Sequence, residues 1–379
     1  MEPMYIDIHV LQTVPPSNLN RDDTGSPKSA VYGGVRRARV SSQAWKRATR
    51  DEFAKRTDRA DLGVRTKRSI ELVADLLTRQ HGLEPAEAVE RATATLAAAG
   101  ISGKAPRPAK NAPKEAAPKV AQTEYLIFLS RRQIERLAAL AAASDKAPSR
   151  KEVIEALDRE HGVEVALFGR MVADNKELSV DASVQVAHAL STHGVDDESD
   201  YFTAVDDLTD EQGEETGAGM LGTVEFNSST LYRYATVNVA GLQANLGSAD
   251  ATARAARAFL LDFVRSMPTG KQNTFANRTV ADGLVVMFRR DQPVNLVGAY
   301  ERAVSTRAGE GRVSESARRL IEQAAAVTAF VSQPERTLVA YAGAAAESLS
   351  ELGEVVGLDD LADQVERIVL AAVGASEPS

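Results

Sequence analysis

The sequence predicts an α+β fold in which a helical segment interrupts a sheet-containing core. Segments rich in β-forming residues lie near the start, at residues 4–14 and 31–40, and recur beyond residue 160. Between about residues 55 and 160 this pattern disappears and apolar residues recur at helical spacing. Strands on both sides of a helical middle are typical of one core that carries an insertion. The 379 residues are enough to bury a sizeable core.

Local signals define the first elements. Residues 4–14 alternate loosely and predict a strand, whereas the prolines and asparagines of residues 15–25 predict a loop. Residues 31–40 predict a second strand with a kink at its two glycines. The two serines that follow are favourable N-caps, so a helix is expected from about residue 43 to residue 55.

The helical middle divides at turn signals. Residues 65–100 predict two helices separated by Gly82 and a Glu-Pro step. Residues 102–121 contain four prolines and five basic residues, a composition typical of a flexible loop. Further helices are expected at about 131–143 and 149–160.

The rest of the chain returns to a mixed pattern. Residues 194–222 are polar, acidic and glycine-rich, which predicts a long functional loop or a protruding hairpin. The other expected elements are strands at 163–172, 183–192, 224–239 and 284–288, and helices at about 248–266, 313–331 and 358–373.

Composition excludes several classes of protein. The chain has no cysteine, which excludes disulfides, thiolate metal sites and cysteine nucleophiles. No run approaches the roughly 18 apolar residues of a membrane span. The first 14 residues contain two acids and no lysine or arginine, unlike a signal peptide. We therefore expect a cytoplasmic protein without cofactors or membrane contacts.

The clearest functional signal is a basic stripe at residues 36–50, which holds six basic residues and no acidic one. The formal net charge is −8, but a local stripe sets the potential that a phosphate meets. On a strand Arg37 and Arg39 share one face, and on the following helix Gln43, Lys46 and Arg50 share another, beside the helix N-terminus. This arrangement favours binding of a phosphodiester backbone. The alternative is a solvated helix face balanced by the acids that follow. The candidate phosphate contacts are Arg36, Arg37, Arg39, Ser41, Ser42, Gln43, Lys46 and Arg50.

Short motifs along the chain carry a family resemblance. They occupy residues 6–11, 19–23, 33–34, 36–37, 39, 41–43, 46–47, 166–171, 187–193, 202–208, 232–235 and 271–272. In this order and spacing they resemble the CasC family, the backbone subunit of the type I-E CRISPR surveillance complex Cascade. The resemblance covers about residues 1–60 and 160–290 and leaves the helical middle and the C-terminal third unmatched.

The resemblance implies an RRM-like palm, a helical fingers insertion and a protruding thumb hairpin. It implies that copies polymerise along CRISPR RNA (crRNA), that each thumb folds over the guide held by a neighbour, and that guide bases are displaced at intervals. Such a subunit is a scaffold that does not cut. Its implied partners are crRNA, target DNA by way of the guide, neighbouring copies of itself and other Cascade subunits. The aromatic strand signature of an RRM is absent, so the palm is expected to hold the RNA backbone.

These assignments divide the chain into five parts. The palm is expected in three of them, at residues 1–55, 161–193 and 224–379. The fingers are expected at residues 56–160 and the thumb hairpin at residues 194–223.

Residues outside the stripe are also candidates for RNA contacts. Asn20, Arg21 and Lys28 lie in the loop before it, and the alternative for Asn20 is turn chemistry. The adjacent Asp22-Asp23 pair has a metal or acid–base interpretation, but an Asx turn is favoured because no other acid or histidine completes a site.

Two later pairs are assigned through the resemblance. Met171, taken alone, would be a core residue, but the resemblance implies that it wedges against bases near the displaced one and that Arg170 contacts RNA. Lys271 and Gln272 are expected to contact RNA directly. A P-loop is excluded there, because Arg265 and Gln272 occupy positions that require Gly and Ser or Thr.

The polar segment 194–222 contains Tyr201, Phe202 and Val205, which we interpret as thumb residues pressing on the guide–target duplex and the adjacent subunit. The alternative is a small satellite core under the loop. The surrounding acids are expected to face arginines of the neighbouring subunit. All five histidines are interpreted as structural, with His188 and His193 packing near the thumb.

Two other functions are weighed against the scaffold. A metal-independent endoribonuclease that processes CRISPR RNA would need a histidine or tyrosine base beside a cation, and no sequence pattern assembles that set. A pure assembly protein would use the basic stripe against acidic protein surfaces such as residues 194–215.

Overall fold

A computed structural model describes residues 2–56, 63–104, 120–144, 146–157, 161–171, 176–204, 220–305 and 311–374. The chain divides into two compact units. The first comprises Met1–Glu52, Gln185–Val237 and Ala256–Ile368, and the second comprises Phe53–Val184, Asn238–Ala255 and Val369–Ser379. The second unit thus extends past residue 160, where the sequence places the end of the fingers.

Strands lie on both sides of the helical middle, as the sequence predicts. Within the described ranges they are β1 (Tyr5–Ser17), β2 (Ser29–Tyr32), β3 (Val35–Val40), β4 (Gly63–Thr66), β5 (Gly103–Lys104), β6 (Gln122–Thr123), β7 (Ile127–Ser130), β8 (Val184–Val186), β9 (Ala189–Ser191), β10 (Glu198–Ala204), β11 (Met220–Asn238), β12 (Gly283–Arg289), β13 (Arg336–Tyr341) and β14 (Glu354–Val355).

Eight of the described α-helices lie at expected positions, and three others were not predicted. The α-helices are α1 (Ser42–Arg56), α2 (Ser69–His81), α3 (Pro85–Ala98), α4 (Arg131–Ala142), α5 (Arg150–Leu157), α6 (Val163–Phe168), α7 (Val239–Leu246), α8 (Ala249–Arg265), α9 (Gln272–Phe275), α10 (Arg312–Thr328) and α11 (Leu358–Gly374), with 3-10 helices at Lys176–Leu178, Leu296–Tyr300 and Ala344–Leu352. The three that were not predicted are α6, α7 and α9. None of these helices is both long and apolar enough to cross a membrane.

One mixed sheet organises the first unit and confirms the α+β prediction. Its strand order is β14-β13-β12-β1-β11-β9-β3-β2, and β8 and β10 also pair with β11. The β1–β12, β12–β13, β9–β11, β3–β9 and β2–β3 pairs are antiparallel, whereas β13–β14 is parallel. Every residue of β12 is buried, as expected for a central strand that is covered on both faces.

Apolar clusters stabilise each unit separately. In the first unit, Leu11 and Tyr232 pack with the 3-10 helix at 296–300 and with α10, while Val14, Val40 and Trp45 form a second cluster. Each large apolar side chain that is fully buried contributes about 1.5–3 kcal/mol. In the second unit, α2, α3, α4 and α5 surround a core of their own. The helical middle therefore has independent packing.

A capping box defines the start of α4 in the second unit. The Ser130 hydroxyl accepts a hydrogen bond from the Gln133 backbone N–H, and the Gln133 side-chain oxygen accepts one from the Ser130 backbone N–H, each at 3.1 Å. This reciprocal pair satisfies N–H groups that a helix N-terminus otherwise leaves unbonded.

A two-stranded ladder lies where the sequence predicts the thumb. β10 and the first part of β11 pair antiparallel, with Phe202 opposite Gly222. A Cβ atom built on Gly222 would lie 2.3 Å from the Phe202 ring, so the ring covers the glycine backbone. Residues 205–219, including Val205, lie outside the described residues.

Three expected strands differ in the structure. Residues 183–192 form two short strands, β8 and β9, instead of one. Residues 31–40 form the β2–β3 hairpin, because Gly33 and Gly34 both adopt positive φ and reverse the chain. Residues 163–168 form the helix α6, since a short apolar run does not distinguish a buried strand from a buried helix. That helix ends at Gly169, where φ is +76° and a Cβ atom would lie 2.8 Å from the Val180 carbonyl oxygen.

Candidate nucleic-acid interface

The loop before the basic stripe is tied to the start of α1. Asn20 Oδ1 accepts a hydrogen bond from the Ser41 backbone N–H at 2.9 Å, and its carbonyl accepts one from the Lys28 N–H at 2.8 Å. The Ser41 hydroxyl accepts from the Ala44 N–H at 3.2 Å and caps the first turn. The Asn20 side chain therefore makes a hydrogen bond within the chain, which was the alternative to an RNA contact. This hydrogen bond holds the loop beside the helix N-terminus.

Asp22 closes the tip of the same loop as an Asx turn. Its Oδ1 accepts hydrogen bonds from the Thr24 N–H at 2.9 Å, the Thr24 hydroxyl at 2.7 Å and the Ser26 N–H at 3.0 Å. The Thr24 hydroxyl, followed by these backbone donors, holds the pKa of Asp22 below its usual value. Among the residues that the structure describes, no group of three or more histidine, aspartate or glutamate side chains is arranged to hold a metal.

A cationic cluster forms where the loop, β3 and the start of β9 meet. Arg39 donates through Nη1 to His188 Nδ1 at 3.1 Å and through Nε to the Ser29 carbonyl at 3.2 Å. The pKa of His188 is lowered, first by partial desolvation of the ring and then by the positive charges of Arg39 and Lys28. Beside the cluster is a small hollow with mixed polar and apolar walls, lined by Ser17, Leu19, Asn20, Pro27, Lys28, Ala38, Arg39, Val40, Asn227 and Ser229.

Helix α1 presents the next group of candidates. Ser42 and Lys46 are half-buried and Gln43 is exposed. Burial lowers the pKa of Lys46, because desolvation penalises its charged form. Arg50 is half-buried one turn further along the helix.

A buried arginine holds α1 against the sheet. The Arg233 guanidinium of β11 lies 3.7 Å from the centre of the Trp45 ring of α1 and 4.6 Å from that of Phe263. It donates to Gln12 Oε1 at 2.6 Å and also to the Phe263 carbonyl at the end of α8. Burial lowers the pKa of Arg233 to about 9, so the group remains charged at neutral pH. Trp45 directly precedes Lys46, so the stacking of Arg233 on Trp45 sets the orientation of the α1 face that carries Lys46.

The Lys271 segment approaches the same loop. A Cβ atom on Gly270 would lie 2.3 Å from the Leu19 carbonyl oxygen and 2.7 Å from that of Asn18. Lys271 is half-buried and Gln272 is exposed, immediately after this contact. The absence of a side chain at residue 270 therefore brings these two candidates beside the Asn20 loop.

Gly270→Ala is expected to weaken RNA binding about threefold to tenfold, because the methyl group forces the 270–272 segment away from the loop. The measurement is fluorescence anisotropy with a single-stranded RNA. Gly311→Ala is the matched control, since nothing lies within 4 Å of a Cβ atom there. Equal affinities of the two variants would contradict this placement of Lys271 and Gln272.

Two arginines that the sequence assigns to RNA lie in the interior instead. Arg37 is fully buried and donates to the carbonyls of Ser191, Thr192, Tyr300 and Glu301 at 2.8 to 3.3 Å. Arg170, in the second unit, is buried and donates to the carbonyls of Leu178 and Leu157 and to Gln133 Oε1. Both expectations are corrected, because these guanidinium groups bind backbone carbonyls that a phosphate would have to replace.

Arg36 is exposed but already paired. Its Nη2 lies 2.7 Å from Asp197 Oδ2, and Asn227 Nδ2 donates to Asp197 Oδ1 at 2.9 Å. The Asp197 carboxylate thus pairs with an arginine of its own chain, which corrects the expectation that it faces a neighbouring subunit. The exposed Arg36–Asp197 pair is worth at most about 1 kcal/mol, so a phosphate can compete for Arg36.

Comparison with known proteins identifies the family. The family model described as "CT1975-like protein" matches residues 6–364. This chain belongs to the CT1975-like family. Among curated proteins, the sequence finds no match.

Solved structures agree with this assignment. The CT1975-like chain is similar to a chain of a "CRISPR RNA-guided surveillance complex, pre-nicking" at 33% identity and a TM-score of 0.78, covering 97% of this chain and 100% of that one. It is also similar to a chain of a "CRISPR RNA-guided surveillance complex" at 30% identity and a TM-score of 0.71, covering 97% and 99%. Both relatives match over nearly their full lengths.

The apolar candidates of the CT1975-like chain are on its surface. Met171 is 82% exposed and follows Arg170, which is anchored to Val180 by two backbone hydrogen bonds. Tyr201 is 63% exposed and Phe202 is 40% exposed on β10. Surface positions fit the contact interpretation of these three residues better than a core or satellite-core role.

The first unit therefore gathers part of the predicted set into one region. Asn20, Lys28, Arg39 and Ser41 are linked by hydrogen bonds or line one hollow, and the segment at 270–272 adjoins them. Arg21, also a candidate, is exposed at the base of the Asx turn and is bridged to Pro27.

Sequence reasoning missed three residues of this region. His188 was assigned to packing, yet it is exposed beside Arg39. Asn227 and Ser229 were not singled out because they lie inside a predicted strand. The motif at residues 187–193 was the available signal for His188, but it did not indicate which face of the sheet the side chain occupies.

Proposed function

We propose that this chain is a non-catalytic, crRNA-binding scaffold subunit of a type I-E Cascade complex, and that several copies line up along one guide RNA. The observation that carries the proposal is the cluster of Lys28, Arg39 and His188 beside a small hollow, in a chain that matches a surveillance-complex chain over 97% of its length. The motifs shared with the CasC family support the finer assignment to type I-E.

The chemistry of the region favours the RNA backbone over the bases. Its donors are cations, amides and hydroxyls at a loop and a helix N-terminus, which suit phosphate and 2′-hydroxyl oxygens. A protein that holds the backbone leaves the base edges available for pairing, so sequence recognition passes to the guide. We therefore expect little RNA sequence preference.

The non-catalytic part of the proposal is supported by the states of the histidines. Burial lowers the pKa of His9 to about 3 and that of His193 to about 4, so neither exchanges protons near neutrality. His188 beside Arg39 is the one observation that favours the endoribonuclease alternative, because it combines a base with a cation. Cleavage also needs an acid for the leaving oxygen, and the cleavage assay below tests whether the cluster supplies one.

The test is purification after co-expression with a CRISPR array, followed by sequencing of the bound nucleic acid. We expect spacer-containing RNA, uncleaved by the protein, on an assembly larger than one chain. RNA-free protein, with and without co-expressed Cascade subunits, would contradict the scaffold. Cleavage of labelled repeat RNA in the presence of a chelator, lost in His188→Ala, would establish the enzyme instead.

Contact of the β10–β11 ladder with the guide–target duplex gives a further prediction. Phe202→Ala is expected to weaken target-DNA binding by the assembled complex about tenfold, because an aromatic contact is worth about 1–3 kcal/mol per base. The midpoint of thermal unfolding should change little, since backbone hydrogen bonds hold the ladder.

Phe330→Ala is the matched control, because Phe330 is an exposed phenylalanine of the first unit outside this ladder. Unfolding of Phe202→Ala, or equal DNA affinities of the two variants, would contradict the thumb interpretation.

A further inference from the structure

We propose that His188 is a phosphate contact of the RNA site and that it takes up a proton when RNA binds, which makes RNA affinity pH-dependent. This inference rests on the proposed function, and it adds a residue and a form of regulation that the function itself does not require. It begins from the geometry of the cluster, in which His188 lies exposed between the loop before β2 and strand β3.

The first step is the state of the RNA-free protein. An arginine carries only donors, so the 3.1 Å contact requires that Arg39 Nη1 donates and that His188 Nδ1 accepts. Nδ1 therefore carries no proton, and the imidazole is neutral. The guanidinium is held by His188 on one side and by the Ser29 carbonyl on the other.

The second step concerns the groups that face His188. They are Arg39 on β3 and Lys28 in the preceding loop. Partial desolvation of the ring, and then the charges of these two cations, lower the pKa of His188 below its usual value of about 6.5. The cluster thus keeps the ring neutral until an anion arrives.

The third step is the effect of a phosphate. A phosphodiester bound by Arg39 and Lys28 carries one negative charge, which offsets part of their combined positive charge, and it offers an oxygen to an imidazolium N–H. The pKa of His188 therefore rises in the complex, and Nδ1 binds a proton from solvent. Protonation ends its role as an acceptor for Arg39, which frees that guanidinium hydrogen for the phosphate.

The sign of the pH dependence follows from linkage. The pKa is lower in the free protein than in the complex, so the complex holds more protons between these two values. RNA affinity is highest below the lower pKa, falls as pH rises through the interval, and levels off above the higher pKa. A shift of one pKa unit corresponds to about a tenfold change in affinity.

The other histidines of the first unit do not reproduce this behaviour. His9 and His193 are buried, and their pKa values of about 3 and about 4 lie below the pH range of the experiment that follows. His81 is exposed on α2 in the second unit and serves as the matched control. His188→Gln keeps an oxygen that can accept from Arg39 but cannot bind the proton.

The experiment uses the full chain, stripped of nucleic acid at high salt, and a labelled single-stranded RNA at constant ionic strength. Anisotropy from pH about 5.5 to about 8 should show wild-type affinity falling about tenfold as pH rises. Calorimetry in buffers of different ionisation enthalpy should show proton uptake on binding. His81→Gln should follow the wild-type profile, whereas His188→Gln should give a flat one.

The outcomes distinguish failure of the His188 proposal from failure of the proposed scaffold function. Binding that is independent of pH in the wild type, or a His188→Gln profile with the wild-type slope, overturns the role of His188 and leaves the scaffold intact. A wild-type chain that binds RNA at no pH overturns both. Matching thermal unfolding of His188→Gln and wild type excludes a folding defect as the cause of a flat profile.

Discussion

Reversing the charges of Lys28 and Arg39 together, as Lys28→Glu with Arg39→Glu, is expected to abolish RNA binding at physiological salt. Both side chains line the hollow, and Arg39 is the best-positioned guanidinium of the cluster. The change replaces two attractive phosphate contacts with two repulsive ones. We expect affinity to fall at least about 100-fold and the slope of log K against log salt to decrease in magnitude by roughly 1.4.

The measurement is a salt titration of RNA binding by anisotropy. The matched control is Arg254→Glu with Arg367→Glu, which changes the net charge by the same amount at exposed positions on α8 and α11. Those helices contribute nothing to the cluster, so the control should keep most of the affinity. If both double variants lost affinity equally, attraction by total charge would explain binding and the cluster would not be the site.

Arg233→Met is expected to lower the free energy of unfolding by about 3 kcal/mol. Methionine fills much of the volume but leaves Gln12 Oε1 without its donor in a buried position, and the Phe263 carbonyl keeps only the Ser266 hydroxyl as a side-chain donor. It also removes the cation–π stack on Trp45, which is worth about 2 kcal/mol when desolvated. Removing a buried charge partly offsets these losses.

Chemical denaturation measures this change, and Arg254→Met is its surface control, which should stay within about 0.5 kcal/mol of wild type. A second readout tests the role of Arg233 in placing α1. Below the unfolding transition, Arg233→Met should also bind RNA more weakly, because Trp45 loses the contact that orients the Lys46 face. Unchanged stability would show that the arginine contributes nothing net to the core.

The basic stripe shows how much of the RNA site can be predicted from the sequence pattern alone. Arg36, Arg37 and Arg39 are chemically alike and nearly adjacent, and the sequence places all three in the RNA site. The structure separates them into an exposed ion pair, a buried carbonyl-bound group and a member of the cationic cluster. The burial and bonding of each arginine depend on partners from β9 and from the segments around residues 197 and 301. No local sequence pattern identifies these partners.

The contacts that assemble the site join residues far apart in sequence. His188 meets Arg39 across 149 positions of sequence, and Gly270 approaches Leu19 across an even longer separation. Such contacts exist because β3 and β9 are neighbours in the sheet and because the Lys271 segment packs on the loop after β1. Strand alternation predicts that a residue faces one side or the other, but it does not choose the side or the neighbour.

The sequence by itself determined the α+β class, the positions of most helices and strands, the stripe of basic residues and the family resemblance. These depend on local periodicity, caps and turn residues, which act within a few positions of the chain. Only the tertiary structure decided that Arg37 and Arg170 are interior, that residues 163–168 form a helix and that His188 joins the cationic cluster. Burial and long-range strand pairing set these outcomes, because both depend on residues far apart in sequence that fold against one another.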